Sequence, residues 1–353
     1  FLRSMADDMP LQLWLNEKVF PIEAKLSEED IYYFSKLAIL EYLTSGITSN
    51  FDMYINPEAI VHASLDMNYR TVLCGAVNDF CLSVEDVERC FNECNQENSL
   101  ISYILGFSHE YTNSKEKIQQ VAALSHKYKA PVYTHLSETE YEVNTCKEKT
   151  GRSPVEYLCD LGVYDYGGGA FHCVHMSEHD LELFEEKHLN VITNPASNLK
   201  LASGIAPIQS MLQRNINVCL GTDGAASNNC LDMFREMFLV TGLAKYKEKD
   251  AAAVDAYEVL KMATVNAAKA LNLNCGVLEA GKLADLIVLD LHQPNMQPMN
   301  NVAKNIVYSG SKSNVKCTMV NGKILYEDGH FHVGFEIETL YDEVQKRVER
   351  LMR

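Results

Sequence analysis

Between residues 46 and 225 the chain alternates short apolar runs with longer stretches of helical spacing. The runs are GITSNFDMY (46–54), RTVLCGAV (70–77), ISYILGFS (101–108), PVYTHLSE (131–138), GAFHCVH (169–175), NVITNPAS (190–197) and NVCLGTDGA (217–225). Each has the length and make-up of a strand. Between them apolar residues recur at three- to four-residue steps. Ile118, Val121, Ala122 and Leu124 do so within 114–129, which predicts a helix there. Alternating strand and helix predicts a parallel sheet covered on both faces. A doubly wound sheet would carry a glycine-rich phosphate turn after its first strand. None is present, and Gly167-Gly168-Gly169, which lacks GxGxxG spacing, reads as a loop. Polar groups collect instead where apolar runs end, at His109, His135, His172 and Asp223. That is how a (β/α)8 barrel builds a site, so the predicted fold is an α/β barrel with seven recognisable strands.

The texture changes after Leu271. Residues 276–291 (GVLEAGKLADLIVLDL) read as a short turn and a buried strand. Residues 315–329 (VKCTMVNGKILYEDG) read as a hairpin, because Asn321-Gly322 between two apolar runs is a strong type I′ signal. The chain closes on an amphipathic charged helix, 337–353. The predicted division is a barrel over 1–271, a small β appendage over 272–335 and a helix over 336–353.

Composition narrows the function. Hydrophobic residues make up 47% and charged residues 22% of 353, an ordinary globular balance. Forty-eight acidic residues against 31 basic ones give −17. A phosphate-tracking surface needs clustered Lys and Arg, and an acidic surface repels anionic lipid, so neither nucleic acid nor membrane is an expected partner. No apolar run reaches the roughly 18 residues of a membrane span. Eleven cysteines without a CxxC read as reduced thiols, most of them small core residues, and place the chain in the cytoplasm. The opening FLRSMADDMP lacks an initiator Met and reads like the interior of something longer.

Three segments carry candidate chemistry. In YTHLSE, His135 ends a strand and Glu138 follows three residues later. A neutral imidazole is a common metal ligand, and a carboxylate beyond it can exchange protons with an activated water. A His that merely bonds its neighbours fits this segment equally well. In FHCVH, side chains alternate faces along a strand, so only one His points into the barrel mouth. His172 is favoured, and His175 reads as a solvated loop residue. In GTDG, small residues flank Asp223, which suits a metal ligand or a proton acceptor as well as a turn before a helix. Together, His, His and Asp at successive strand ends fit a metal site better than a nucleophile. No GxSxG elbow is present, and a Cys–His pair stays open.

THLSE, FHCVH, NPASNLKLASGIAP and LGTDGAASNN resemble the amidohydrolase superfamily. More narrowly, they resemble the 5-methylthioadenosine/S-adenosylhomocysteine deaminases and the neighbouring chlorohydrolase-like enzymes. The two C-terminal segments are similar to the family's β-sandwich, and MADDMPLQLWLNEKVFPIE to the helical stretch after its first barrel strand. The resemblance covers nearly the whole chain. It implies a (β/α)8 barrel lacking its first strand, with part of a β-sandwich, and one divalent metal ion, zinc by preference or iron. It implies His135 and Asp223 as metal ligands and Asp223 as acceptor of the water's proton. It further implies Glu138 as the acid/base at the purine nitrogen, His172 as the group orienting the water, Glu23 as holder of ribose hydroxyls and His109 as a substrate contact. The expected substrate is an adenosine-type nucleoside, and a homo-oligomer is the family habit.

Two departures follow. The family's HxH on strand one has no counterpart, since His330-Phe331-His332 lies after the hairpin. Two further His ligands are therefore expected upstream of residue 1. The family's strand-three arginines are also absent: 71–83 contains no Arg, and Cys74 stands at one such position. Together with the extra acid Glu110, this disfavours an anionic substrate tail and so S-adenosylhomocysteine. Two alternatives remain beside the deaminase reading: a barrel acting on another amino- or chloro-heterocycle, guanine- or triazine-like, and a metal-poor, inactive barrel.

Overall fold

The computed structural model describes residues 1–5, 7–79, 82–96 and 100–353. Each of the seven runs contains a strand: β1 (Ser49–Asp52), β2 (Arg70–Cys74), β3 (Ile101–Gly106), β4 (Val132–Leu136), β5 (Gly168–His172), β6 (Asn190–Thr193) and β7 (Asn217–Leu220). They form one sheet in chain order, and every neighbouring pair is parallel. The helix read in 114–129 spans Lys115–Tyr128. No helix among the described residues is long and apolar enough to cross a membrane.

The sheet is strongly curled. Flat parallel strands lie about 4.8 Å apart, so β1 and β5 would be separated by about 19 Å. Yet Phe51 of β1 meets Tyr133 of β4 at 5.1 Å and Phe171 of β5 at 5.3 Å between ring centroids. Cys74, Tyr133, Phe171, Ile192 and Cys219 fill the concave side. The residue just before each of them (Leu73, Val132, Ala170, Val191 and Val218) joins the main core outside the sheet. This two-sided burial is why the runs read as continuously apolar rather than alternating. The result is a half-barrel whose edges, among the described residues, are β1 and β7. Asn266 covers part of the β7 edge, donating from Nδ2 to the Val218 carbonyl at 2.9 Å.

Gly168 and Gly169 lie in β5 rather than in the expected loop. A Cβ on Gly168 would sit 2.0 Å from the Val132 carbonyl oxygen, and one on Gly169 2.3 Å from that of Asn190. Close backbone approach requires glycine here, and glycine gives no apolar signal to read.

Beyond the half-barrel lies a second, antiparallel sheet ordered β11-β10-β9-β8, with β8 (Leu286–Leu289), β9 (Val315–Val320), β10 (Lys323–Glu327) and β11 (His330–Phe331). Val320 pairs with Lys323, and Asn321 and Gly322 both have positive φ, as a type I′ turn demands. β8 is half-buried rather than buried. It is an edge strand pairing only with β9, which leaves Val288 49% exposed. The helix Ile337–Leu351 packs on the helix Glu28–Thr44, where Arg350 pairs with Asp30.

One ion pair ties the two sheets together. Arg70, at the start of β2, reaches Asp285 through Nε (2.5 Å) and Nη2 (3.0 Å), and the two side chains are 3% and 1% exposed. Asp285 also accepts the Asn321 N–H at 2.7 Å. Removing one partner strands the other charge. Arg70→Ala is therefore expected to cost about 3–5 kcal/mol in urea unfolding, whereas the apolar pair Arg70→Met/Asp285→Leu recovers most of it. A loss within experimental error for the single variant would contradict this.

Asp52 faces a cavity of about 140 Å³ between β1 and the helix Glu28–Thr44. Burial pushes its carboxyl up to about 6. A carboxyl raised on folding contributes stability at low pH that is lost as pH rises from the ordinary carboxylate range through about 6. Asp52→Asn should flatten that stretch of the melting-temperature profile, and a profile parallel to wild type would refute the assignment.

Candidate active site

Three strands end at the mouth of the half-barrel with left-handed residues close behind or at their last position. Ser137 follows β4, His172 ends β5 and Asp223 lies three residues past β7, all at positive φ. These turns bring His135, Glu138, His172 and Asp223 together. His172 is buried, with Nε2 3.8 Å from Glu138 Oε2 and 4.0 Å from Asp223 Oδ2. The His135 ring lies 5.5 Å from that of His172 and 4.4 Å from that of His109.

Each side chain is fixed by a hydrogen bond. His135 donates from Nδ1 to the Ser108 carbonyl at 2.9 Å. His172 Nδ1 pairs with Asn198 Oδ1 at 2.7 Å. In both rings the partner is an acceptor, so Nδ1 carries the proton and Nε2 is left for chemistry. Asp223 accepts the Ser197 hydroxyl at Oδ2 (2.6 Å) and the Gly224 N–H at Oδ1 (2.5 Å). Glu138 accepts the Ser203 hydroxyl at Oε1, 3.2 Å away. His109 bonds Ser108 Oγ through Nδ1 at 2.8 Å.

The electrostatics divide the imidazoles. Burial, reinforced by its neighbours His135 and His172, holds His109 well below the ordinary imidazole range. Burial also lowers His135. At His172 burial opposes the charge, but Glu138, Asp223 and the Asn198 bond outweigh it and raise the group. Glu23 stands apart from this cluster, at the end of the helix Phe20–Glu23, and accepts the Tyr54 hydroxyl at 2.6 Å. Burial raises its carboxyl. Among the described residues no three His, Cys, Asp or Glu side chains form a metal cage on their own. The donors present do suit a share of one: the His135 ring is anchored through Nδ1 to a backbone carbonyl with Nε2 left over, the usual arrangement of a ligating His.

The sequence profile of the amidohydrolase family matches residues 2–325. The chain belongs to the amidohydrolase family. It is 38% identical over 360 residues to the 5-methylthioadenosine/S-adenosylhomocysteine deaminase of Caldanaerobacter subterraneus subsp. tengcongensis, covering 99% of this chain and 83% of that one. It is likewise 38% identical over 338 residues to the 5'-deoxyadenosine deaminase of Methanothermobacter thermautotrophicus, covering 94% of this chain and 79% of the relative. Among solved structures, a zinc-bound adenosine deaminase from Xanthomonas campestris superposes with a TM-score of 0.94 at 29% identity, over 99% of this chain and 82% of that one. A triazine hydrolase variant superposes at 0.89 with 20% identity, over 98% of this chain and 84% of that one, a likeness of fold.

Within this amidohydrolase mouth, two sequence expectations are corrected. Glu110 does not face a substrate tail: it is buried and turned toward Glu142. His175 is not a free loop residue, since it is half-buried and donates from Nε2 to the Ser203 carbonyl at 2.7 Å. Cys74 is buried at the end of β2, where burial pushes its thiol well up and keeps it neutral. Part of the arginine-free stretch, residues 80 and 81, lies outside the described residues. Sequence reasoning did not single out Ser197, Asn198 and Ser203. The segment NPASNLKLAS carries all three, and its run of small polar residues directly after β6 was the available signal.

Because the Asn198 bond helps raise His172, Asn198→Ala should lower the imidazole's titration midpoint in NMR of the metal-free protein. An unmoved midpoint would show that Asn198 does not hold the ring.

Proposed function

We propose that this amidohydrolase is a metal-dependent deaminase of an adenosine-type nucleoside, converting it with water to the inosine analogue and ammonia. The observation that carries this reading is the meeting of Glu138, His172 and Asp223 around one point beside His135, in a chain whose relatives bear nucleoside deaminase names. His135 and Asp223 would hold one divalent ion, zinc by preference and iron as the alternative. When bound, such an ion brings the pKa of a water toward neutrality.

The chain's own residues do the rest. Asp223 takes a proton from the attacking water at Oδ2, the oxygen that faces His172, while its Ser197 and Gly224 bonds hold the carboxylate in place. His172, anchored through Nδ1, orients that water from Nε2. The oxygen adds to C6 of the purine while Glu138 delivers a proton to N1. The tetrahedral carbon then collapses, the C–N bond breaks, and the amino group leaves as ammonia with a proton passed through the same carboxylates. His109, held neutral, contacts the substrate as a hydrogen-bonding group rather than a charge. Glu23 keeps an oxygen for vicinal ribose hydroxyls while Tyr54 fixes the other.

The same reading ranks substrates. Residues 71–79 supply no guanidinium, and Cys74 is a neutral thiol. A carboxylate-bearing tail therefore lacks a bidentate partner there, and 5'-methylthioadenosine, 5'-deoxyadenosine or adenosine is preferred to S-adenosylhomocysteine. The units proposed for this reaction are the barrel 1–271, the appendage 272–335 and the helix 336–353, in a cytoplasmic homo-oligomer. The missing arginines also favour a second reading, another amino- or chloro-heterocycle, which Glu23 separates from the first.

Ammonia release by the metal-loaded protein is the test. We expect release from the three neutral-tailed nucleosides, with kcat reduced about 10²- to 10⁴-fold in Glu138→Gln, the usual range for loss of a general acid. No release from any of them with metal bound would overturn the reading. Glu23→Ala should raise KM for the nucleosides, and unchanged kinetics on the true substrate would move the choice to a heterocycle without ribose.

A further inference from the structure

Glu110 and Glu142 are two buried acids that the proposed reaction does not use. They are 6% and 1% exposed. Glu142 lies in the first turn of the helix Glu140–Thr150, where Thr139 caps the Glu142 N–H. Its carboxylate reaches back over that turn. Oε1 accepts the Ser137 N–H at 2.5 Å and Oε2 accepts the Glu138 N–H at 2.8 Å. Those two amides belong to the left-handed turn that carries Glu138 off β4. Glu110 comes from the turn after β3, which packs on the helix Glu140–Thr150, and there the two buried acids are neighbours. Its Oε2 is buried without a donor. Two neighbouring buried carboxylates repel when both are ionised, and a proton shared between them removes that repulsion and gives the orphaned Glu110 oxygen a role.

We propose that Glu110 and Glu142 form a proton-sharing pair that positions Glu138: protonated Glu110 donates to the Glu142 carboxylate, which grips the two amides of the Glu138 turn. Both are positioning residues, and the role assigned to them rests on Glu138 being the acid/base of the deamination. The division of the proton follows from the donors. Glu142 already accepts two N–H groups and suits the charge, while Glu110, with an unpartnered oxygen, suits the proton. Burial and then the Glu142 charge push Glu110 far above the ordinary carboxyl range, against the backbone N–H groups of Glu110 and Tyr111, which lower it. Burial raises Glu142 too, against the two amide bonds that lower it.

The groups facing the pair add no compensating cation except His172. Glu138 and His172 face Glu142 across the site. Tyr111 lies on Glu110's own turn, Cys146 one turn along the helix and Tyr157 on the next helix, with Tyr164 and Cys173 behind. Burial pushes every one of these phenols and thiols up, so they stay neutral. No lysine or arginine ion-pairs with either acid among the described residues. The pair is thus held together by its proton, and it loosens as pH rises toward about 9 and Glu110 ionises.

Four variants and one spectrum test this. A glutamine at 142 has one oxygen and must point its NH₂ at one of the two amides. Glu142→Gln should therefore lower kcat about 100-fold while leaving KM within about threefold, as expected for a misplaced catalytic group in an intact pocket. Glu110→Ala should lose kcat as well. Glu110→Gln, whose amide donates at every pH, should restore it and hold it at the alkaline end where wild type declines. Wild-type kcat in Glu142→Gln, or an alkaline limb in Glu110→Gln that matches wild type, overturns the proposal; if Glu142→Gln does not fold, the two position-110 variants decide alone. Infrared spectroscopy reads the pair without activity. At neutral pH the wild-type minus Glu110→Gln difference spectrum should show a protonated-carboxyl stretch, the bands of other buried acids such as Glu236 cancelling, and a difference spectrum without one refutes the shared proton. Glu138→Gln completes the set. If neither wild type nor Glu138→Gln releases ammonia, the deaminase reading has failed while the infrared result still stands on its own.

Discussion

The mouth of the half-barrel depends on backbone turns that L-residues resist. Ser137, His172, Cys173 and Asp223 all take left-handed conformations without being glycine. Each such residue costs of the order of 1–2 kcal/mol and persists only where its surroundings over-determine it. The surroundings here are hydrogen bonds with neighbouring loops: His135 donates to Ser108 and His172 to Asn198, while Ser197 donates to Asp223 and Ser203 to Glu138. The turns swing the side chains out of the sheet and toward one another, which an extended strand with alternating faces could not do. No strand end holds its own side chain unaided: the turn after β3 holds His135, and the single segment after β6 holds Glu138, His172 and Asp223.

Beneath that ring the curl of the sheet sets the floor. Tyr133 meets Phe51 from across the sheet and donates its hydroxyl to the Ala270 carbonyl at 2.9 Å, so a large side chain fills the bore with its polar end satisfied. His135 rests on Phe171, ring centroids 5.1 Å apart. An apolar floor under His135 is part of the burial that disfavours its charge and so keeps its Nε2 available. Packing on the concave face and protonation at the mouth are therefore one arrangement.

The barrel strands were legible because each is buried on both faces and so reads as an apolar run, and His109, His135, His172 and Asp223 were legible because they interrupt those runs at their ends. Other features gave no such signal. The β5 glycines read as a loop, since their role is the absence of a Cβ against Val132 and Asn190. The exposed face of β8 was hidden because an edge strand with an apolar outer residue looks like a core strand. Glu110 read as an acid facing substrate because a charge in a loop normally faces water. Only the fold shows that its partner comes from a helix 32 residues on, and local pattern carries no information about such a partner.

Glu236 shows why acids, rather than amides, occupy these hidden places. It projects from the helix Met233–Glu248, is buried, and accepts the Ala196 N–H at Oε2 and the Asn228 amide at Oε1. Asn228 in turn donates to the Thr222 carbonyl at 2.6 Å. One carboxylate thereby fastens the loop that carries Ser197 and Asn198 to the loop that carries Asp223. A glutamine would accept once and turn its NH₂ toward a second donor, leaving a buried N–H without a partner at about 1–3 kcal/mol. The acid satisfies both donors but is desolvated, and burial pushes it up to about 7. Glu142 meets the same demand at the β4 turn, from the following helix and with the same upward shift. Two N–H donors meet at each place, the Ser137 and Glu138 amides at one and the Ala196 N–H with the Asn228 side-chain amide at the other, and they call for an acceptor with two oxygens and no donor. The helix behind each turn supplies it as a glutamate, at the expense of burying charge beside a site that works by moving protons.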